Sequence, residues 1–346
     1  MRYPEFLKEN GKIAYVAPSC GCATEPYVSG FNNALKKWEA LGYENILGPN
    51  CYMDKGIGIS NVPSECAKEL MEYYASPDND VIISCGGGEL MCETISEVDF
   101  EIMKNAKPKW YMGYSDNTNM SFLLNTLCDV AAIYGPCAAA FGMEPRHKCI
   151  EDAYEMLIGK KLVSTNYDMY EIESLKDEEH PLATYNCTEP VDIKGYFDGE
   201  YRNHISMEGR LTGGCLDVLV NIVGTRFDKV SDFLEKYKED GIIWFLEACD
   251  LNVFSIRRAL WQLKEAGWFK YTKGFIFGRP RIGYEEIFNL DRFEAVLQIA
   301  GRELNVPIIF DADIGHIPPA MPIISGALSK VSFDNGNLVI DMGFEI

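Results

Sequence analysis

Ser115 follows an apolar run at residues 110–114, in Gly113-Tyr114-Ser115-Asp116-Asn117-Thr118, and opens a stretch with helical spacing. A serine between a strand and a helix is exposed at a sheet edge, where the unpaired N–H groups of the helix start point outward. That junction suits a nucleophile, although Asn117 replaces the small residue expected two places after the serine. It equally suits a helix N-cap, whose hydroxyl accepts from a first-turn N–H.

A serine nucleophile needs a base, and the chain has four histidines. His147 sits in a charged turn, His180 closes an acidic stretch and His204 lies among polar residues. His316 differs, because Asp313-Ile314-Gly315-His316-Ile317-Pro318-Pro319 follows a strand-like run and is stiffened by two prolines. Such a loop presents a rigid imidazole; a loop histidine satisfied by backbone would look the same. A base is oriented by an acid on its other ring nitrogen. Glu247 ends the apolar run Ile242-Ile243-Trp244-Phe245-Leu246, where a carboxylate is costly unless paired, and Asp250 is its rival. Gly86-Gly87-Gly88 lacks both the dinucleotide-loop spacing and a following Lys-Ser/Thr. It can instead bring a backbone N–H to an oxyanion, or simply turn the chain.

The elements that must hold these residues alternate. Strand-like runs at 13–17, 80–84, 110–114 and 131–134 interleave with helical periodicity over 25–41, 63–75 and 117–127. That rhythm predicts a parallel sheet covered by helices, with ligands at the carboxyl ends of its strands. Residues 163–190 hold no period and read as a linker or crossing loop, whose tyrosines Tyr167, Tyr170 and Tyr185 pack the loop or stack on a substrate. Further on, helices are predicted at 215–223, 253–266 and 290–304, and strands at 241–246, 274–277 and 306–310. Period-two alternation about Asp334-Asn335-Gly336 predicts a closing β-hairpin. The expected division is therefore a domain over 1–162, a linker over 163–190 and a domain over 191–346 with a partly antiparallel sheet.

Composition excludes several function classes. Of 346 residues, 47% are hydrophobic and 24% charged, as in a soluble globular protein of two domains. The formal charge of −20 opposes nucleic acid and anionic membranes as partners. No signal pattern or bilayer-length apolar run is present, so a cytoplasmic location is expected. The twelve cysteines are scattered through apolar runs without a C-x-x-C pair or Cys/His ligand spacing, so neither a disulfide framework nor a metal is expected.

Taken in order, the motifs resemble the LD-carboxypeptidase family of serine peptidases, and within it the longer branch typified by the microcin C self-immunity protein. The resemblance runs through Ala17-Pro18-Ser19, Gly86-Gly87, the Ser115 motif and Gly209-x-Leu211-x-Gly213-Gly214-Cys215-Leu216. It continues through Gly224-Thr225, Phe245-Leu246-Glu247, Arg257-Arg258-Ala259-Leu260 and Gly315-His316-Ile317-Pro318-Pro319-Ala320-Met321. It implies a flavodoxin-like N-terminal domain with Ser115, and a C-terminal mixed α/β domain, its sheet swivelling-barrel-like, with Glu247 and His316. It implies a Ser-Glu-His triad, an oxyanion hole from the N–H groups of Asp116 and of Gly87 or Gly88, no metal or organic cofactor, and a homodimer. Members cleave murein tetrapeptides during peptidoglycan recycling, or the amide of a peptidyl or aminoacyl nucleotide antibiotic, which confers resistance.

Departures bear on substrate. Glu89 follows the glycines where the family has a neutral residue, and Cys215 stands where it has asparagine. Tyr167, Tyr170 and Tyr185 are candidates to stack on an aromatic leaving group. Arg202, Arg210, Arg257 and Arg258 are candidates for a substrate carboxylate, with Arg202 and Arg210 foremost. The alternative reading is a non-catalytic peptide- or nucleotide-binding protein on the same fold.

Overall fold

The computed structural model describes residues 1–343 and divides the chain into two compact units. Residues 1–161 and 173–186 form the first; residues 162–172 and 187–343 form the second. The expected linker is thus shared between the two, and the last three residues of the expected C-terminal domain, 344–346, lie outside the described residues.

The first unit is an α/β domain built on β1 (Lys12–Val16), β2 (Glu44–Leu47), β3 (Val81–Ser84), β4 (Tyr111–Gly113) and β5 (Ala132–Tyr134). These five are parallel and ordered β2-β1-β3-β4-β5, the flavodoxin-like order. β3, β4 and β5 are buried along their whole length, because helices cover both faces of such a sheet. The helices are α1 (Tyr27–Ala40), α2 (Pro63–Ala75), α3 (Met91–Ile95), α4 (Phe100–Asn105), α5 (Thr118–Cys128) and α6 (Lys148–Leu157). Proline at its first position starts α2, which buries Cys66, Ala67, Leu70 and Tyr74 on one stripe. α5 is buried almost all round and leaves β4 directly after Ser115, so the core holds that junction from behind.

The second unit begins with β6 (Val163–Thr165), β7 (Met169–Glu171), β8 (Cys187–Pro190), β9 (Lys194–Phe197) and β10 (Glu200–Arg202). β7 and β8 pair as a short antiparallel ribbon. Three strands therefore occupy the stretch expected to be a linker; they are only partly buried and mix polar with apolar residues, so no apolar run marks them. The unit continues with β11 (His204–Cys215), α7 (Leu216–Ile222), α8 (Val230–Lys236), β12 (Ile242–Glu247), α9 (Val253–Glu265) and β13 (Thr272–Gly278). Then come α10 (Arg292–Val296), continuing as a π-helical turn over Leu297–Glu303, β14 (Ile308–Ala312), β15 (Ile323–Ser325), β16 (Leu328–Asp334) and β17 (Asn337–Asp341).

Nine strands form one mixed sheet in the order β10-β9-β14-β13-β12-β11-β16-β17-β6. Parallel strands β11 to β14 lie in the middle, with antiparallel pairings on both sides. β11 belongs to both regimes. His204–Arg210 runs antiparallel to β16 and alternates exposed with buried, whereas Arg210–Cys215 runs parallel to β12 and is wholly buried. Its sequence changes accordingly, from His-Ile-Ser-Met-Glu to Leu-Thr-Gly-Gly-Cys. The core around β12 is aromatic: Trp244 stacks on Trp268 and meets Phe269 edge-on.

Candidate active site

In the first unit, Tyr114 is extended at φ −133° and ψ −174°, and Ser115 then turns to φ +64°. A β-carbon is strained in that left-handed region, and such strain persists only where the surroundings hold it. A 3-10 turn over Ser115–Asn117 leads into α5, and no side chain caps that turn. Ser115 is therefore the bent residue of a strand-turn-helix elbow, and the N-cap positions of the turn and of α5 fall on Tyr114 and Asn117. Its N–H donates to the Tyr134 hydroxyl at 3.3 Å.

The glycine run stands over this elbow. A β-carbon on Gly87 would lie 3.1 Å from Ser115 Cβ and 3.2 Å from its Oγ, so any larger residue would press directly on the serine. A β-carbon on Gly88 would instead meet Ser19 Oγ at 2.3 Å and Cys20 Sγ at 2.9 Å, so Gly87 is the glycine facing Ser115. Glu89 is exposed. The Gly87 carbonyl accepts from Cys20 N–H at 2.9 Å, which fixes the peptide plane. Asn117 ties run and elbow together, its Nδ2 donating to the carbonyls of Gly86 at 2.8 Å and Tyr114 at 3.1 Å, while Tyr111 Oη donates to its Oδ1. The buried Asp116 carboxylate accepts from Ser19 Oγ at 2.6 Å, Met91 N–H at 2.9 Å and Asn119 Nδ2 at 2.9 Å. Burial raises its pKa, and those three donors oppose the rise. Asn117, Ser19 and Asn119 received no role from sequence, although Asn117 and Ser19 stand inside the quoted motifs.

In the second unit, Glu247 closes β12 with 1% exposure. Its Oε2 lies 2.8 Å from His316 Nδ1, so the acid expected to orient the histidine does contact it. Asp250 pairs with Arg281 on the surface instead. Gly315 permits the contact: at φ +102°, a β-carbon there would lie 2.6 Å from Glu247 Oε2. Burial disfavours charge on the imidazole, but the Glu247 carboxylate and the Cys249 thiol outweigh it and raise the pKa to about 10. The carboxylate thus favours the protonated ring, with Nδ1 facing Glu247.

A second ion pair supports the histidine loop. Arg279 and Asp313 are both buried and paired, and Arg279 Nη1 also donates to the Asp311 carbonyl at 2.9 Å. Asp313 accepts Tyr167 N–H at 2.6 Å, and the Pro318 carbonyl accepts Glu171 N–H at 2.8 Å. Asp217 pins the far end of β12, accepting the N–H groups of Cys249 at 3.0 Å and Asp250 at 2.9 Å. Cys215 ends β11 directly across from Glu247 in the parallel register. A cavity of about 20 Å³ beside Glu247, reached by Leu216, Phe277 and Arg292, has room for about one water and is no substrate pocket.

The residues expected to bind substrate fare differently. Arg210 is buried at the opposite end of the parallel strands from Glu247, its guanidinium held by Asp240, the Gly326 carbonyl and the face of Tyr237. Its guanidinium is thus engaged within the fold, where sequence made it a candidate for a substrate carboxylate. Arg202 is exposed on edge strand β10, four strands from β12, paired with Glu200. At about 4.8 Å per strand that is roughly 19 Å away, too far for a contact with Glu247. Arg258 donates to Ser255 Oγ on its own helix. Tyr167 is buried. Tyr170 is buried under the Arg279 guanidinium, with its hydroxyl 3.4 Å from that of Tyr284. Tyr185 belongs to the first unit, its ring edge-on to His147. Tyr167 and Tyr170 belong to the second unit.

Comparison with known proteins agrees with this division. Residues 13–135 match the LD-carboxypeptidase N-terminal domain and residues 208–331 the LD-carboxypeptidase C-terminal domain, together well over half the chain. A Bacillus subtilis (strain 168) protein named "Probable murein peptide carboxypeptidase" is 24% identical over 98% of this chain and 94% of its own. The microcin C7 self-immunity protein MccF of Escherichia coli is 24% identical over 81% of this chain and 79% of its own. Its structure in complex with aspartyl sulfamoyl adenosine superimposes at a TM-score of 0.78, with 20% identity and both chains covered in full. An MccF-like protein from Bacillus anthracis gives a TM-score of 0.81 at 20% identity, over 99% of this chain and 100% of its own. With both domain matches in their expected order on this fold, the chain belongs to the LD-carboxypeptidase family.

Proposed function

We propose that the protein is a serine hydrolase that cleaves an amide bond in a small peptide or peptide conjugate. The observation that carries this reading is Ser115 at φ +64°, a strained backbone on the strand-turn-helix elbow under Gly87. Ser115 attacks the carbonyl carbon; His316 takes its proton and passes it to the leaving amine; Glu247 holds the ring through Nδ1. The N–H groups of Asp116 and Gly87 receive the oxyanion. Water then hydrolyses the acyl-enzyme by the same relay.

The imidazole's high proton affinity bears on each half of this cycle. It makes His316 a strong acceptor once its resting proton has left, and the Glu247 carboxylate stabilises the imidazolium formed at each proton transfer. No metal or organic cofactor has a step in this cycle. Two substrate classes remain, the murein tetrapeptide and the aminoacyl nucleotide amide; the aspartyl sulfamoyl adenosine complex of MccF supports including the second. Assaying murein tetrapeptide and an aminoacyl sulfamoyl adenosine side by side separates them. Fluorophosphonate labelling of Ser115 tests the hydrolase itself, because only an activated serine reacts. Unlabelled wild-type protein, or turnover that survives Ser115→Ala, would end the proposal.

A further inference from the structure

Cys215 has no task in the proposed mechanism, yet it is buried beside its two most important groups. One donor atom each from Cys215, Glu247 and His316 lie within 4.8 Å of one another. We propose that these three side chains form a binding site for a thiophilic divalent cation of the zinc class, and that the bound cation stops His316 from acting as a base. No sequence spacing announces the site, because residues 215, 247 and 316 converge only when β11 and β12 pair and the histidine loop folds over them.

The donor set selects the metal. A thiolate, an imidazole nitrogen and a carboxylate oxygen suit zinc or cadmium, whereas magnesium and calcium take shells of oxygen. Zinc bonds of about 2.0–2.3 Å space tetrahedral ligand atoms roughly 3.3–3.6 Å apart, so donors within 4.8 Å of one another need to close by about 1.5 Å at most. Charge favours occupation too. A thiolate and a carboxylate with a neutral imidazole cancel a dication, and a buried site accepts a neutral assembly where it would penalise a net charge. His316, 12% exposed, is the open side; the Cys249 thiol that hydrogen-bonds to it and the Asp217 carboxylate 3.4 Å from Cys215 Sγ are candidates for a fourth ligand.

Binding releases two protons to solvent, one from the Cys215 thiol and one from the imidazolium, and forms metal–sulfur and metal–nitrogen bonds in their place. Either way of coordinating the ring disables it. Metal on Nε2 occupies the lone pair that would accept the serine proton; metal on Nδ1 leaves the remaining proton on Nε2. The inhibitory half of the proposal rests on the hydrolase reading; the binding half does not.

The test titrates the full-length protein with cadmium, following the ultraviolet thiolate-to-cadmium charge-transfer band, in wild type, Cys215→Ser and His316→Gln. With twelve cysteines in the chain, the difference between proteins is the readout. Loss of an outer-sphere partner alone weakens metal sites about 10–100-fold, so each substitution should weaken the tightest cadmium equivalent at least about tenfold. Identical titrations in wild type and Cys215→Ser overturn the site. Cys215→Ala, checked by thermal melting without metal, replaces the serine variant if that one does not fold. In a second arm, zinc should slow fluorophosphonate labelling of wild type and require at least about tenfold more metal in Cys215→Ser. Labelling that ignores zinc in protein that binds cadmium overturns the inhibition. Protein that never labels overturns the hydrolase reading instead, and the cadmium difference then supports or overturns the site by itself.

Discussion

Replacing Glu247 by glutamine isolates the interaction that sets the state of His316. The amide still accepts the Nδ1–H hydrogen bond and keeps nearly the same volume, but removes the negative charge 2.8 Å from the ring. The imidazole is raised from its ordinary value of 6.5 to about 10, with burial working against the rise and Glu247 heading the causes that produce it. Without the carboxylate the pKa should fall by roughly 3 units, each worth about a factor of ten in proton affinity. At pH 7.5 the ring then changes from almost wholly charged to mostly neutral. Histidine-selective labelling and two-dimensional NMR read this directly, because the chain has only four histidines and His316→Gln identifies the signal. The pH dependence of fluorophosphonate labelling reads it functionally. Wild type should keep gaining rate toward pH 10, whereas Glu247→Gln should level off near or below neutrality, at a plateau lower by about 10²–10⁴-fold because the developing imidazolium loses its counter-charge. A His316 resonance that titrates within about one unit of the same pH in both proteins would refute the reasoning.

Other substitutions probe separate parts of the site. Ser115→Ala should lower turnover by about 10⁴-fold or more and abolish labelling while leaving the melting temperature of a folded protein. Gly87→Ala pushes a β-carbon against Ser115 and should reduce kcat by about 10–100-fold with little change in stability, measured by kinetics beside thermal melting. Gly315→Ala combines φ +102° with a contact 2.6 Å from Glu247 Oε2, so it should cost at least about 1–2 kcal/mol in denaturant unfolding and displace His316 as well. Arg279→Ala leaves the Asp313 carboxylate buried without its cation and should destabilise the second unit by about 3–5 kcal/mol. A histidine whose pKa is raised on folding contributes stability that is complete below the unfolded value near 6.5 and is lost as pH rises through about 10. The stability difference between wild type and His316→Gln should accordingly shrink between pH 7 and pH 10.5.

Much of the architecture was legible from local pattern alone. Helical stripes such as Cys66, Ala67, Leu70 and Tyr74, and the short buried runs of β1, β3, β4 and β12, are periodicities that a few neighbouring residues create, so they read directly from sequence. The Ser115 junction, the glycine run and the Gly-His-Ile-Pro-Pro loop were legible for the same reason: each is a property of consecutive residues. The equally short strands of residues 163–190 are only partly buried and mix polar with apolar residues, so no apolar run marks them, and β6 pairs with β17 far along the chain.

Everything that depended on which distant groups meet was decided by the tertiary structure. Glu247 was the candidate and Asp250 its rival, and the fold places the first against His316 and the second against Arg281. Arg210 looked available for a substrate until Asp240, Gly326 and Tyr237 were seen to enclose it. Cys215 showed no ligand spacing until register put it across from Glu247. The physical reason is common to all three: a charge, a thiol or an imidazole acquires its chemistry from the groups within a few ångströms. Sequence specifies those groups only through the whole fold.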